Sequence, residues 1–365
     1  MTALPTPRPV AAPYAHGGPS TPLIMVWVMV ALTPATVFGL GLYGWPAIGL
    51  FAVTLVSALA TEAACTALAR RPVAATLADG SAVLTGWILA LSLPPWAPWW
   101  LGATGGVLAI AVGKQVFGGL GQNPFNPAMA ARVALLVAFP QDMTRYVRPL
   151  PIFLPGSPGF ADGLGLTFGL GTGLDIDAMS SASILGFLKT ELGLGHGLGG
   201  TPGPGMDALS LFLGTTPGSL GETSALLLLL GGGLLLALRI VGWQTPAALM
   251  LGIVVPAAIC HGIAPGRYLP PLTHLLAAST IFGAFFIATD PVTSPVTRTG
   301  QAIFGAGCGV LIFAIRTWGG YPEGMAFAIL LMNAATPLID RWIRPRIYGR
   351  DRKGRPLPLT AEGRR

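Results

Sequence analysis

Apolar residues fill ten stretches of this chain, near 23–43, 45–67, 80–93, 97–118, 126–140, 222–241, 243–262, 271–289, 300–316 and 324–343. Most approach the roughly 20 residues that a membrane-spanning helix needs. The third and fifth are shorter and are expected to be broken or re-entrant, which backbone at membrane depth tolerates only where protein or water satisfies it. The pattern predicts an all-α membrane protein of about ten transmembrane helices, with one long loop between the fifth and sixth. It divides the chain into a tail at 1–20, a first membrane half at 21–140, the loop at 141–221, a second half at 222–343 and a basic tail at 344–365.

Composition strengthens this picture. Hydrophobic residues make up 52% of the chain and charged residues 10%, with mean hydropathy +0.68, whereas soluble domains carry about a quarter charged residues. With 51 Gly and 34 Pro, kinked and closely packed helices are expected. Charge sets the orientation. With both termini cytoplasmic, sixteen of the 21 Lys and Arg fall on the inner side, Lys114 and Arg132 among them, as the positive-inside rule requires for an even number of spans. The net charge of +7 then reflects topology and attraction to an anionic lipid bilayer, with no need to invoke nucleic acid. Residues 1–20 lack the apolar core of a signal peptide and read as a disordered tail. Cys65, Cys260 and Cys308 lie inside apolar runs without metal-type spacing and read as packing residues.

Candidate chemistry is confined to a few places. The long loop carries Asp177-Ala-Met-Ser180-Ser-Ala182-Ser183, and loops of this length are functional or disordered. Its Gly and Pro content predicts a small irregular cap, with a short amphipathic helix from Ser180 to Leu192 that puts Ile184, Leu185, Leu188 and Leu192 on one face. Asp177 and Ser180 would serve as ordinary N-caps for it. Between the fourth and fifth runs, Asn123 and Asn126 stand beside Pro124 and Pro127. Their amides both donate and accept, which suits the edge of an uncharged ring, and Asx turns explain them equally well. Asp290 opens Asp-Pro-x-x-x-Pro at the inner end of the eighth run, either as an ion-path residue or as the cap of the next turn. Glu62 reads as a solvated or paired carboxylate, and His261 and His274 read as structural.

Four segments carry a resemblance. They are Leu211-Phe-Leu-Gly-Thr-Thr-Pro-Gly-Ser-Leu-Gly-Glu-Thr-Ser224, Phe285-Phe-Ile-Ala-Thr-Asp-Pro-Val-Thr293, Arg316-Thr-Trp-Gly-Gly-Tyr-Pro-Glu-Gly324 and Pro337-Leu-Ile-Asp-Arg-Trp-Ile-Arg-Pro-Arg-Ile-Tyr-Gly349. Together with Asn123-Pro-Phe-Asn-Pro-Ala128, they resemble the family that holds the D subunit of the Rnf electron-transport complex and the B subunit of the sodium-pumping NADH:quinone oxidoreductase. About three quarters of the chain is covered.

The resemblance implies a fold similar to that of urea transporters, with two five-helix halves, in the bacterial inner membrane and with the long loop periplasmic. It implies an Asp-x-x-Ser/Thr-Gly-Ala-Thr/Ser signature at which a flavin transferase joins FMN through its phosphate to the last hydroxyl. Asp177, Ser180, Ala182 and Ser183 match that signature, Ser181 departs from its Gly, and Ser183 would be the attachment residue. It also implies a non-covalent riboflavin near Thr85, Asn123 and Asn126, association with the A, B, C, E and G subunits of the complex, and coupling of electron transfer to Na+ or H+ movement. The chain has no Gly-x-Gly-x-x-Gly fingerprint following a predicted strand, no phosphate-binding loop with Gly-Lys-Ser/Thr and no Cys-x-x-Cys, so nicotinamide and ferredoxin would meet other subunits. On this reading the chain is a relay in a translocase and holds no catalytic residue alone. The rival reading is a solute channel or transporter without redox chemistry, which would have no evident need for the Asp177–Ser183 motif.

Overall fold

A computed structural model describes residues 20–170, 180–181, 184–193, 208–276, 280–321, 323–345 and 355. Almost all of the regular structure is helical. In chain order it comprises α1 (Thr21–Leu68), α2 (Val73–Leu77), α3 (Ser81–Ser92), α4 (Trp99–Val107), α5 (Pro127–Ala138), α6 (Pro140–Thr144), β1 (Tyr146–Val147), α7 (Phe160–Phe168), β2 (Ser180–Ser181), α8 (Ile184–Gly193) and α9 (Ala208–Leu213). The second half holds α10 (Ala225–Ala237), α11 (Gln244–Ile263), α12 (Pro271–Leu276), α13 (Thr280–Phe282), α14 (Arg298–Trp318) and α15 (Met325–Trp342). Among the described residues four helical stretches, Thr21–Leu68, Trp99–Phe117, Gln244–Ile263 and Arg298–Trp318, are long and apolar enough to cross a membrane.

The first two apolar runs meet inside α1, at Gly44. Its φ of 72° and ψ of −157° lie in a region that is essentially reserved for glycine, so the helix breaks there. The chain then reverses, because both arms meet the same neighbours. Thr36 accepts a hydrogen bond from Trp87 Nε1 at 2.9 Å, while a Cβ placed on the adjacent Gly86 would lie 2.9 Å from Ala58 Cβ. Met25 packs at Gly80, and Glu62 reaches Ser81 through Lys114. On an unbroken helix residues 25 and 62 would lie about 55 Å apart.

That reversal gives the bundle two ends. Met25, Glu62, Ser81, Lys114, Asn123, Val241 and Asp290 gather at the first. At the second, Tyr43 Oη donates to Gly218 O at 3.1 Å, Trp96 Nε1 donates to Tyr43 O at 2.9 Å, and Gly221 abuts Leu91 O. The chain passes between these ends repeatedly. Side-chain caps start several passes: Asn126 Oδ1 accepts from Met129 N, Ser224 Oγ from Leu227 N and Thr297 Oγ1 from Gly300 N, each satisfying a donor that the first helical turn leaves orphaned. α3 and α5 have 12 residues each, about 18 Å, and fall short of a hydrocarbon core of about 30 Å. Short passes were expected at these two positions. The eighth run contains α12 and α13, and α13 runs into a π-helical turn at Gly283–Ile287.

Bare backbone makes a tight seam between α11 and α14. A Cβ at Gly305 would sit 2.5 Å from Thr245 O, and one at Gly309 would sit 2.2 Å from Leu249 O. Without a hydrophobic drive between helices in lipid, such close approach supplies the packing energy. Gly309→Leu should therefore force the two helices apart and destabilise the fold by about 1–3 kcal/mol or more. Thermal unfolding of the detergent-solubilised protein should show a lowered midpoint, and an unchanged midpoint would mean that this seam is not tight.

The loop at 141–221 is more ordered in its described parts than an irregular cap. It contains α7, α8 and α9 as well as β1, which pairs antiparallel with β2 through Tyr146↔Ser181 and Val147↔Ser180. The helix expected from Ser180 begins instead at Ile184. Ser180 is strand, so it is not the N-cap of that helix. The ladder to β1 supplies backbone partners that local helix propensity could not foresee. Of the predicted apolar face, Leu185 is buried.

Candidate functional site at two ends of one bundle

At the first end, Thr85, Asn123, Asn126 and Asp290 line one pocket, together with apolar side chains that include Phe285 and Phe286. Two π-helical turns shape its surroundings. Gly283–Ile287 presents Phe285 and Phe286, and Leu108–Val112 leads directly to Lys114. Such turns insert an extra residue into a helix and recur at functional positions.

The polar groups of this pocket are held in defined roles. Asn126 donates from Nδ2 to Asp290 Oδ2 at 3.4 Å while its Oδ1 caps α5. Asp290 accepts from Val292 N and Thr293 Oγ1, both at 3.1 Å, so the turn-capping role foreseen for it is filled. Thr85 donates back to Ser81 O at 2.8 Å. Asn123 donates from Nδ2 to Phe125 O at 3.0 Å, and its buried Oδ1 has no hydrogen-bond partner among the described residues. A buried acceptor without a donor costs about 1–3 kcal/mol, which makes this oxygen the group in the pocket with an unmet demand.

Next to these residues lies a fully buried ion pair that local sequence did not pair. Lys114 Nζ donates to Glu62 Oε1 at 2.8 Å and to Ser81 Oγ at 2.7 Å. Glu62 is thus paired, and not solvated. A signal was available, because a lone charge inside an apolar run requires a partner.

The second end holds another buried cluster. Arg132 on α5 donates to Glu323 in a very short contact and lies 3.9 Å from Glu222. Glu222 also accepts from Ser219 N at 3.2 Å. This corrects the sequence-based charge map. Arg132 and Lys114 are buried partners of carboxylates, so neither contributes a surface charge to the inner side. The cluster joins segments 211–224 and 316–324, two of the four that carry the family resemblance. The strand β1 packs here too, with Tyr146 and Val147 buried.

Of the motif in the loop, the backbone of Ser180 is described, as β2 at the second end. Asp177, Ala182 and Ser183 lie outside the described residues. α8, which follows them, is anchored by Lys189, whose ammonium donates to Tyr321 O at 3.0 Å and Arg316 O at 3.4 Å and makes a shorter contact with Gly319 O. Burial holds this amine below its usual range. The other histidine and cysteine readings agree with their surroundings. His261 Nδ1 meets Tyr268 O at 2.7 Å, His274 packs edge-on against Phe313, and Cys308 is buried in the core. Among the described residues no group of His, Cys, Asp and Glu is arranged to hold a metal.

Long apolar helices, buried ion pairs and a tight glycine seam define a multi-pass helical membrane protein. The chain belongs to the NQR2, RnfD, RnfE family, which it matches over residues 9–349. It is 53% identical over 355 residues to the D subunit of the ion-translocating oxidoreductase complex of Halorhodospira halophila, covering 97% of this chain and 99% of that one. The protein of the same name from Stutzerimonas stutzeri is 53% identical over 334 residues, 92% of this chain and 94% of that one. That from Rhodobacter capsulatus is 49% identical over 307 residues, 84% and 85% of the two chains.

Proposed function

We propose that this chain is a membrane subunit of an ion-translocating oxidoreductase complex, and that it relays electrons between two flavins at opposite ends of its helical bundle. FMN would be joined through its phosphate to Ser183, within the signature formed with Asp177, Ser180 and Ala182. Riboflavin would lie without a covalent bond against Thr85, Asn123 and Asn126. The observation that carries this reading is the separation of the two motifs. β2, inside the Ser183 motif, lies at the second end beside β1, and the four residues foreseen at the inner side line one pocket at the first.

The chemistry of the pocket fits an uncharged flat ring. Phe285, Phe286 and Ile88 offer apolar walls, and the unpartnered Asn123 Oδ1 can accept from a ring N–H. The cavity encloses about 110 Å³, so it takes one edge of such a ring and leaves the rest at its open mouth. A bound flavin supplies the electron transfer, and the protein supplies position and electrostatics. Asp290 orients Asn126, and through it the rim of the pocket; an ion path through Asp290 would have to compete with the three hydrogen bonds that this carboxylate accepts.

The proposed topology has ten crossings of the bacterial inner membrane in two five-helix halves similar to urea transporters, both termini cytoplasmic and the Ser183 loop periplasmic. The first end is then cytoplasmic. A flavin transferase would load Ser183, and the A, B, C, E and G subunits of the complex would pass electrons to and from nicotinamide and ferredoxin. Moving a charge against 100 mV takes about 2.3 kcal/mol, which a flavin-to-flavin step of a few tenths of a volt exceeds, so coupling to Na+ or H+ is energetically feasible. The names of the relatives favour this reading over a solute channel.

Flavin content tests it. Protein purified from cells that contain the transferase should carry one flavin that stays with the acid-precipitated chain and one that acid releases. Asn123→Leu should lose most of the released flavin and keep the covalent one. A wild-type chain that retains no flavin through precipitation would overturn the relay.

A further inference from the structure

A second cavity, at the end opposite the inner pocket, is lined by Leu185, Lys189, Arg267, His274, Arg316 and Trp318, among others, and encloses about 330 Å³. That volume is in the range of small-molecule sites, roughly 300–1,000 Å³. Among the described residues its walls carry three cationic side chains and no carboxylate.

Arg316 is the informative residue. Only 6% of it is exposed. Its Nη1 donates to His274 O at 2.8 Å, while Nε and Nη2 are buried without a hydrogen-bond partner among the described residues. A desolvated guanidinium with unused donors is costly. Because it can only donate, what satisfies it must be an acceptor, best of all an anion. The Trp318 ring and the Leu185 and Leu269 side chains add apolar wall, so the cavity suits a group that is flat, apolar in part and negatively charged in part.

The position of α8 indicates where such a group comes from. Lys189 pins this helix to carbonyls at the C-terminal end of α14, and Leu185 from its first turn stands in the cavity wall. Ser183 is two residues before Leu185 in the chain. A group fastened to residue 183 would thus be attached two residues along the chain from a side chain of the cavity wall.

We infer that this cavity seats the flavin carried on Ser183, with Arg316 as the positioning residue whose charge faces the phosphodiester-linked group and favours its reduced, more negative state. The inference rests on the covalent attachment proposed above, and the two can fail separately.

The test compares the flavinylated full-length wild type with Arg316→Gln, Arg316→Lys and Arg267→Gln, using in-gel flavin fluorescence to verify attachment in each. At one fixed applied potential, Arg316→Gln should shift the ratio of oxidised to reduced covalent flavin about tenfold towards oxidised, as expected for removing a unit charge at roughly 10 Å in a partly screened site. Iodide should quench the flavin more strongly in this variant. Arg316→Lys should restore most of the ratio. Arg267→Gln, at the exposed rim, should shift it less in the same direction, and it keeps the test decisive if Arg316→Gln does not fold. If every variant carries the fluorescent band and neither ratio nor quenching changes in Arg267→Gln or Arg316→Gln, the cavity is not the seat, although the attachment stands. If wild type carries no band, attachment and seat both fall.

Discussion

Arg132→Met should destabilise the protein by about 3–5 kcal/mol, the usual result of removing one partner from a buried ion pair. Arg132 is the cation between Glu323, with which it makes a short hydrogen bond, and Glu222 at 3.9 Å. Taking it away leaves both carboxylates buried in low dielectric, with Arg316 as the other nearby guanidinium. Removing charge from both sides should be much less harmful, since a well-packed apolar pair is often as stable as the ion pair it replaces. Arg132→Met/Glu323→Leu should thus recover part of the loss. Unfolding in mixed detergent micelles measures both variants. If the single variant is as stable as wild type, Arg132 is not the keystone of this end of the bundle.

An effect of similar size is expected at the other end. Lys114→Met would strand Glu62, which is fully buried and whose Oε2 already lacks a partner among the described residues. Ser81 Oγ would lose its donor but keep its own contact with Asp79. The loss should again be about 3–5 kcal/mol, with partial recovery in Lys114→Met/Glu62→Leu. Because Lys114 and Ser81 also line the pocket at the first end, the variant should release the riboflavin proposed to bind there before it unfolds. A flavin assay along the denaturation curve distinguishes the two events. Simultaneous loss of flavin and fold would mean that pocket and ion pair open together.

Much of this architecture was legible in the sequence because the bilayer imposes its own arithmetic. Runs of about 20 apolar residues marked the long helices, and the boundary between the first two runs fell at Gly44, where the backbone breaks. The Asn123 and Asn126 pair and Asp290 stood out as polar residues at the ends of apolar runs, Thr85 came only from the family resemblance, and all four line one pocket. What local reading missed depends on partners distant in sequence. Lys114 and Arg132 looked like inner-side charges, and only their neighbours 52 and 191 residues away reveal them as buried. Ser180 looked like a helix start because no local pattern announces a two-residue ladder with Val147. The donors of Arg316 that find no partner among the described residues are equally invisible to periodicity, since they depend on neighbours distant in sequence.

The central claim concerns a single hydroxyl. Wild type and Ser183→Ala, each produced with the transferase and run on a denaturing gel under ultraviolet light, test it most directly. The account predicts a fluorescent band at the mass of this chain, 37.5 kDa, that disappears in the variant while the stained band remains. A dark wild-type band, or equal fluorescence in the variant, would contradict it.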